Sequence, residues 1–224
     1  MILMVIAVLV IAVVDWVAVA KGWKKIETIA KPATMVLLFA TLALAGGFGA
    51  TPLIFFGLGI VFSLAGDIFL LLSTRWFIAG LAAFLMAHVS YIIGLNTPIG
   101  DASPLWAIVI GIILALATAR VLRPILVGLR EKGQGKLVIP VVVYGTVITI
   151  MLLSAILTIY RTDWKTSASG LVSLGAILFY FSDIILAWNR FVKPIKNGRL
   201  VNMVAYHLGQ IALITGVILQ FGHM

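Results

Sequence analysis

The stretch PLIFFGLGIVFSLAGDIFLLLS, residues 52–73, contains one charged residue, Asp67. An apolar stretch of about 20 residues is long enough to cross a bilayer as a helix. A carboxylate near the middle of such a helix costs about 2.5–3.5 kcal/mol on the mildest insertion scales, so its presence indicates a function. A second long apolar stretch, residues 168–190, also contains a serine and an aspartate, Ser182 and Asp183. We interpret Asp67 and Asp183 as the working pair of an intramembrane site.

The composition predicts an all-α, polytopic membrane helix bundle. Hydrophobic residues make up 63% of the 224 residues, charged residues 10%, and the mean hydropathy is +1.22. All six tryptophans fall at or near the predicted helix ends, as an interfacial belt requires. We predict a single transmembrane domain, residues 1–224, with eight transmembrane helices at about residues 1–20, 32–48, 52–73, 76–95, 105–122, 137–160, 168–190 and 200–221.

The basic residues predict the orientation of the bundle. Of the 16 Lys and Arg residues, only Arg161 and Lys165 fall in loops on one side of the predicted helices, and all others fall on the other side. That side is predicted to be cytoplasmic and both termini non-cytoplasmic, in the cell (inner) membrane. The net charge of +9 therefore indicates topology and contact with membrane lipids, not nucleic acid. We expect no cleaved leader, because no basic residue precedes the first apolar segment.

The two aspartates occupy equivalent positions in a possible internal repeat of four plus four helices. Each lies on the third helix of its half, and His88 and His207 follow on the next helices. Two halves of four helices share one orientation, which implies a parallel repeat. Counting residues at about 1.5 Å each places both aspartates, Tyr144 and the Tyr206-His207 pair about 9–10 Å from the cytoplasmic boundary. The same count places His88 and Tyr91 about 18 Å from it.

Other polar residues form stripes along the helices. Ser63 and Asp67 are four residues apart, as are Asn202, Tyr206 and Gln210, so each set lies on one helix face. Tyr, Asn and Gln in membrane helices often join helices together, and Asn202 and Tyr144 have this structural alternative.

Several charged residues have simpler explanations. Asp15 lies near the end of its segment and is predicted to reach towards the interface. Glu27, Glu131, Asp101 and Asp163 lie in predicted loops and are expected to be solvated. The absence of cysteine and the wide separation of the histidines predict no metal site and no metal cofactor.

Short motifs occur in order over residues 31–215: Lys31-Pro32; Phe62 to Asp67; Phe77, Gly80-Leu81, Phe84, His88 and Tyr91; Tyr144; Ser182-Asp183; Tyr206 and Gln210. Their order and spacing resemble the YhhN-like lysoplasmalogenase family of membrane ether hydrolases. His207 departs from the resemblance, because a second tyrosine is expected there.

The resemblance implies a hydrolase that cleaves the vinyl ether of lysoplasmalogens to a fatty aldehyde and a glycerophospho-alcohol. Asp67 and Asp183 would be catalytic, the substrate a lysophospholipid, and no cofactor is implied. Acid hydrolyses a vinyl ether, and an apolar site allows one carboxyl of a pair to stay protonated while the other is ionised. Candidates for binding or orienting the substrate, the carboxyl groups or water are Ser63, His88, Tyr91, Tyr144, Asn202, Tyr206 and Gln210. Lys31 and Arg75 are candidates for the headgroup.

Two other classes also use membrane aspartates. A proton-coupled transporter would use the same pair as a proton relay. An intramembrane aspartyl protease would show Gly-x-Gly-Asp and Tyr-Asp, whereas this chain has Leu64 and Ser182 at the defining positions. The sequence leaves open which aspartate is the acid, which lipid is the natural substrate and what the oligomeric state is.

Overall fold

A computed structural model describes residues 2–101 and 103–222 of the chain. It confirms the all-α class, since 87% of the structure is helical and the described residues contain no strand. Eight helices are long and apolar enough to cross a membrane. Their bounds are α1 Ile2–Lys21, α2 Lys24–Thr41, α3 Thr51–Leu72, α4 Phe77–Leu95, α5 Pro104–Glu131, α6 Val138–Leu157, α7 Thr166–Ala187 and α8 Gly198–Phe221.

The helix starts agree with the sequence at two prolines and differ at a third. Pro52 and Pro104 lie in the first turns of α3 and α5, where the missing N–H group of proline costs no hydrogen bond. Pro32 was predicted near a helix start, but it lies inside α2, which begins at Lys24. Hydropathy detects only the apolar part of a helix, and α2 has a polar first half. For the same reason α5 continues to Glu131, well past the predicted end.

Short π-helical segments extend two of the helices. Leu42–Gly46 continues α2, and Trp188–Val192 continues α7. Because of the second extension, Asp183 lies nine residues before the end of its helical segment, whereas Asp67 lies five residues before the end of α3. The count from the sequence ended at Arg190, so it underestimated the length of helix that follows Asp183.

Polar contacts near the helix ends define the two ends of the bundle. At one end, Arg199 at the start of α8 donates to Glu27 at the start of α2, 2.6 Å away. We call this the basic end, because the loops with most of the Lys and Arg residues lie there. At the opposite end, Arg161 after α6 donates to the carbonyl of Leu95 at the end of α4, 2.9 Å away. This arrangement agrees with alternate loops lying on alternate sides.

The close packing of α7 against α8 places the site residues of both helices. A Cβ atom at Gly175 would lie 2.6 Å from the backbone nitrogen of Leu213 and 2.7 Å from the carbonyl oxygen of Gly209. Only glycine allows the two backbones to approach this closely. Helix α8 also contacts α1, α2 and α3, so it carries the polar stripe of Tyr206 and Gln210 through the interior of the bundle.

Helix α5 packs at the outside of the bundle. It contacts α6, the π-helical segment after α7 and the turn before α6. Its buried residues are Thr118, Ile125, Gly128 and Leu129. Most of its side chains, including Leu105 and Leu116, are exposed to the lipid that surrounds a membrane bundle.

Candidate functional site

Asp67 is fully buried and has two partners from other helices. The Nζ atom of Lys31 on α2 lies 2.9 Å from Oδ1, and the hydroxyl of Tyr206 on α8 donates to Oδ2 over 2.8 Å. The contact with Oδ1 is an ion pair, and Oδ1 accepts no hydrogen bond from the described residues. A buried ammonium next to a buried carboxyl favours the charged form of both groups. Asp67 is therefore the one of the two aspartates that has an ammonium group as its partner.

A chain of neutral hydrogen bonds lies beside this ion pair. The hydroxyl of Tyr91 on α4 donates to Oε1 of Gln210 over 2.7 Å, and Nε2 of Gln210 donates to Oγ of Ser63 over 2.9 Å. Ser63 and Gln210 are each four residues from a member of the ion-pair cluster, one turn away on the same helix face. Ser63, Tyr91 and Gln210 are all buried and are connected to one another by these hydrogen bonds.

Asp183 has a different set of partners. The hydroxyl of Tyr144 on α6 donates to Oδ2 of Asp183 over 2.5 Å, and Nε2 of His88 on α4 lies 2.9 Å from the Tyr144 oxygen and 3.4 Å from Oδ2. Because the Tyr144 hydroxyl donates its hydrogen bond to Asp183, its oxygen acts as the acceptor towards His88, and we assign the imidazole proton to Nε2 on this basis. Residue counting had placed His88 about 8 Å further from the boundary than Asp183. The side chains can still meet, because each leans towards the start of its own helix and α4 and α7 run in opposite directions.

The aromatic ring of Phe179 lies between the two clusters. Its centroid is 4.8 Å from the His88 ring and 5.3 Å from the Tyr206 ring. Among the described residues, no side chain makes a hydrogen bond to both carboxyl groups. Asp67 and Asp183 therefore belong to separate polar clusters, which share Phe179 as an aromatic wall.

Asp183 and Tyr144 also line an apolar pocket between α3, α4, α5, α6 and α7. The two other polar side chains there are Thr118 and Tyr180. Their hydroxyl groups share one hydrogen bond of 2.7 Å. The apolar part of the lining consists of Leu70, Phe77, Leu81, Phe84, Val121, Leu122, Ile125, Val141, Gly145, Ile148, Ile184, Leu186, Ala187 and Phe191. The Asp183 side chain is 13% exposed, whereas Asp67 is completely enclosed.

A second pocket lies at the basic end, and we call it the polar pocket. It is lined by Lys24, Glu27, Thr28, Lys31, Leu70, Leu71, Leu186, Arg199, Asn202 and Met203. Leu70 and Leu186 line both pockets, so the two spaces adjoin. Arg75, which the sequence suggested for a headgroup, is not part of this lining and packs against the ring of Trp76.

Asn202 joins two helices, which is the structural alternative considered for it from the sequence. Its Nδ2 atom donates to the carbonyl of Ser182 over 2.6 Å and so joins α8 to α7 next to Asp183. Ser182 itself donates to the carbonyl of Phe179 over 2.8 Å. Asn202 therefore fixes the α7 backbone that carries Asp183, and its side chain also borders the polar pocket.

Two of the acidic side chains differ from the sequence prediction. Asp15 is fully buried, with Oδ2 lying 4.0 Å from Nδ1 of His207, and does not reach the interface. Trp16, predicted to lie in the interfacial belt, donates to the same His207 nitrogen over 3.1 Å. Glu27 was expected to be solvated but is buried, with Arg199 as its partner. The histidine at position 207, unexpected for the family, was the sequence feature that could have drawn attention to Asp15 and Trp16.

Eight apolar helices around two buried carboxyl clusters and two adjoining pockets define a class: an integral, multi-pass membrane protein with an intramembrane carboxylate site. The chain belongs to the YhhN family, which it matches over residues 26–217. The match includes α3 to α7 and both aspartates, whereas Asp15 and Trp16 lie before it.

Named relatives agree with this family. Lysoplasmalogenase TMEM86B of Homo sapiens is 30% identical over 155 residues, which are 69% of this chain and 59% of the relative. Lysoplasmalogenase TMEM86B of Mus musculus is 35% identical over 159 residues, again 69% and 59% of the two chains. A lysoplasmalogenase homolog of Dictyostelium discoideum is 26% identical over 196 residues, 75% of this chain and 64% of the relative. The matches thus span less than two thirds of each relative. No solved structure has a significant match to the chain.

Proposed function

We propose that this protein is a membrane hydrolase that cleaves the vinyl ether of lysoplasmalogens, releasing a fatty aldehyde and a glycerophospho-alcohol. One observation carries the proposal: a carboxyl group, held by Tyr144 and His88, lines an apolar pocket that adjoins a charged pocket. A lysophospholipid has the matching pattern, with an apolar chain, an ether at the junction and a charged headgroup. The names of the relatives support the same activity.

Asp183 is the proposed acid. Its Oδ2 accepts a hydrogen bond from the Tyr144 hydroxyl, so Oδ1 is the oxygen that can carry the catalytic proton. Transfer of this proton to the β-carbon of the vinyl ether gives an oxocarbenium ion and leaves Asp183 as a carboxylate. The Tyr144 hydroxyl stabilises that carboxylate through a charge-assisted hydrogen bond.

Water completes the reaction. It adds to the carbon of the oxocarbenium ion and returns one proton to Asp183, which forms a hemiacetal. The hemiacetal collapses to the aldehyde and the glycerol hydroxyl, so that the sum is one vinyl ether and one water giving one aldehyde and one alcohol. Asp183 acts first as acid and then as base and ends in its starting state.

Asp67 supplies the ionised member of the pair. The Lys31 ammonium and the Tyr206 hydroxyl hold it as a carboxylate behind the aromatic wall. Its negative charge favours a cationic intermediate nearby, an effect that is strong in a site of low dielectric constant. The two aspartates thus have different roles because their partners differ.

The test is aldehyde release from a lysoplasmenyl lipid by the purified protein. Asp183→Asn is expected to lower kcat by about 10²–10⁴-fold, the range for loss of a general acid. Asp163→Asn, which changes an exposed aspartate at the opposite end, is the matched control and keeps its activity. Normal turnover by Asp183→Asn would overturn the proposed mechanism. Proton-coupled solute flux in proteoliposomes, without a product from any lysolipid, would replace the hydrolase by a transporter.

The predicted orientation of the bundle also implies the leaflet from which a substrate enters. With the basic end in the cytoplasm, the polar pocket opens towards the cytoplasmic leaflet of the cell (inner) membrane. A lysolipid in that leaflet can then present its ether without leaving the membrane.

A further inference from the structure

The apolar pocket is too short to hold the whole hydrocarbon chain of a membrane lipid. Its lining covers residues 118–125 of α5 and 141–148 of α6, which is about 10 Å along each helix. A lipid chain that fills one leaflet is about 15 Å long, half the thickness of the hydrocarbon core. Asp183 lies part of the way along the pocket, three residues after Tyr180, so about 5 Å of pocket remains beyond it on the side away from the basic end.

The interior of the bundle beyond the pocket is filled by packed side chains. Ser173 on α7 donates to the carbonyl of Ala155 on α6 over 2.9 Å, which brings these two helices together there. Met151, Ala155 and Ala176 are all fully buried in one hydrophobic cluster. A hydrocarbon chain cannot continue along the bundle axis through a region packed in this way. A chain longer than the pocket therefore has to turn sideways out of the protein.

The side of the pocket between α5 and α7 is bounded by two contacts. At the basic end, a Cβ atom at Gly128 would collide with the carbonyl of Phe191, so α5 lies against the π-helical segment after α7. Ten residues earlier on α5, the hydroxyls of Thr118 and Tyr180 share their hydrogen bond. Between these contacts lies a stretch about 15 Å long, which we call the α5–α7 seam.

The seam contains two residues of the pocket lining, Val121 on α5 and Ile184 on α7. Both are partly buried. Leu122 faces α6, because a Cβ atom at Gly145 would lie 3.3 Å from its side chain, and Val121 lies on the other flank of the pocket-lining face of α5. Phe181, one turn before Ile184, is 48% exposed. The seam therefore places the pocket lining next to the lipid-facing side of α7.

We propose that the α5–α7 seam is a portal through which the hydrocarbon chain of the substrate leaves the protein. The carbons next to the ether lie in the apolar pocket beside Asp183, and the rest of the chain passes between Val121 and Ile184 into the bilayer. The enzyme then recognises about the first third of the chain, and the remainder is solvated by membrane lipid. This inference rests on the proposed function for the identity of the ligand.

Uncleavable analogues test the portal without turnover. Calorimetry compares a saturated alkyl ether lysolipid with two tagged forms of the same lipid. A pyrenyl group on the last carbon is expected to leave the dissociation constant unchanged, because that carbon lies in the bilayer. A phenyl branch on the third carbon is expected to raise the constant by about tenfold or more, because it overpacks the pocket. Exclusion of the end-tagged lipid would show that the protein encloses the whole chain and would overturn the portal.

A matched pair of variants tests the position of the portal. Val121→Phe adds bulk in the seam, and Val143→Phe makes the same change at a lipid-facing position of α6 outside the pocket lining. Val121→Phe is expected to raise KM about tenfold for a vinyl ether lipid with a long chain and to leave it unchanged for one with a four-carbon chain. Activity on the short chain shows that this variant is folded. Val143→Phe is expected to change neither constant.

Equal KM changes for the short and the long chain in Val121→Phe, or equal changes in the two variants, would overturn the role of the seam. The portal and the hydrolase can also fail separately. Cleavage of vinyl ethers together with exclusion of the end-tagged lipid overturns the portal and leaves the hydrolase intact. Binding of the end-tagged lipid that Val121→Phe weakens and Val143→Phe does not supports the portal even where no vinyl ether is cleaved.

Discussion

The ammonium of Lys31 lies 2.9 Å from Oδ1 of Asp67, and both side chains are buried inside the helix bundle. The two residues are 36 positions apart, on α2 and α3, and Lys31 also lines the polar pocket. Asp183 has hydrogen-bond partners, Tyr144 and His88, but no Lys or Arg ion-pair partner among the described residues. The two carboxyl groups therefore differ in their surroundings: Asp67 lies against an ammonium group, and Asp183 lies against a phenol and an imidazole.

Removal of either partner of the Lys31–Asp67 pair is expected to destabilise the protein by about 3–5 kcal/mol, because a buried charge remains without its counterpart. Removal of both, in Lys31→Met with Asp67→Asn, is expected to cost less than the sum of the single changes. The free energy of unfolding in mixed micelles measures all three. Strictly additive losses would show that the two groups do not interact.

Tyr144→Phe is expected to lower kcat by about 10- to 100-fold with little change in KM, because the carboxylate left after proton transfer loses its charge-assisted hydrogen bond. Tyr180→Phe is the matched control: this tyrosine lines the same pocket, but its hydroxyl bonds to Thr118 and not to Asp183. Initial rates over a range of lysoplasmalogen concentrations separate the two constants. Equal losses in both variants would mean that pocket shape, not the hydrogen bond, was responsible.

Gly175→Ala is expected to destabilise the bundle by about 1–3 kcal/mol, because the new Cβ atom would lie 2.6 Å from the Leu213 backbone. Gly170, five residues earlier on α7, has no atom within 4 Å of its Cβ position. Gly170→Ala is therefore expected to be neutral or to stabilise α7 by up to about 1 kcal/mol through helix propensity. A comparison of the two unfolding free energies tests the close approach of α7 and α8, which a loss in both variants would contradict.

The ion pair in the loop after α6 is expected to make the stability of the protein depend on pH. Hydrogen bonds from Arg161 hold the pKa of the Asp163 carboxyl below its usual value. A lowered pKa in the folded state contributes stability above the unfolded value, and this contribution is lost as the pH falls through the folded one. We expect the wild-type protein to lose more thermal stability than Asp163→Asn between about pH 5 and pH 3. Parallel curves for the two proteins would contradict the ion pair.

The fold could be predicted from the sequence because the membrane imposes a simple rule. Every helix needs an apolar segment of about 20 residues, and the polar interruptions at the ends of these segments are easy to find. The rule fails where a helix continues through polar residues, as α2 does from Lys24 to Pro32. That polar segment contains Glu27 and Lys31, so hydropathy left out part of the helix that lines the polar pocket.

The candidate site was predictable as a set of residues but not as an arrangement. A charge inside an apolar helix is visible in the sequence, and Asp67 and Asp183 were found in this way. Which partner each carboxyl has depends on how helices far apart in sequence pack together, and nothing in the sequence paired Lys31 with Asp67 or Tyr144 with Asp183. The contact of Asp15 and Trp16 with His207 was missed for the same reason.

The exposed position of α5 makes one wall of the apolar pocket sensitive to the surrounding lipid. This helix forms one side of the apolar pocket, yet few of its side chains pack against the rest of the protein. Surrounding lipid acyl chains then support that wall from outside, so the bilayer serves as a structural component of the pocket. We expect chain-length preference to change with the thickness and lateral pressure of the bilayer, and detergent-solubilised protein to have a selectivity of its own.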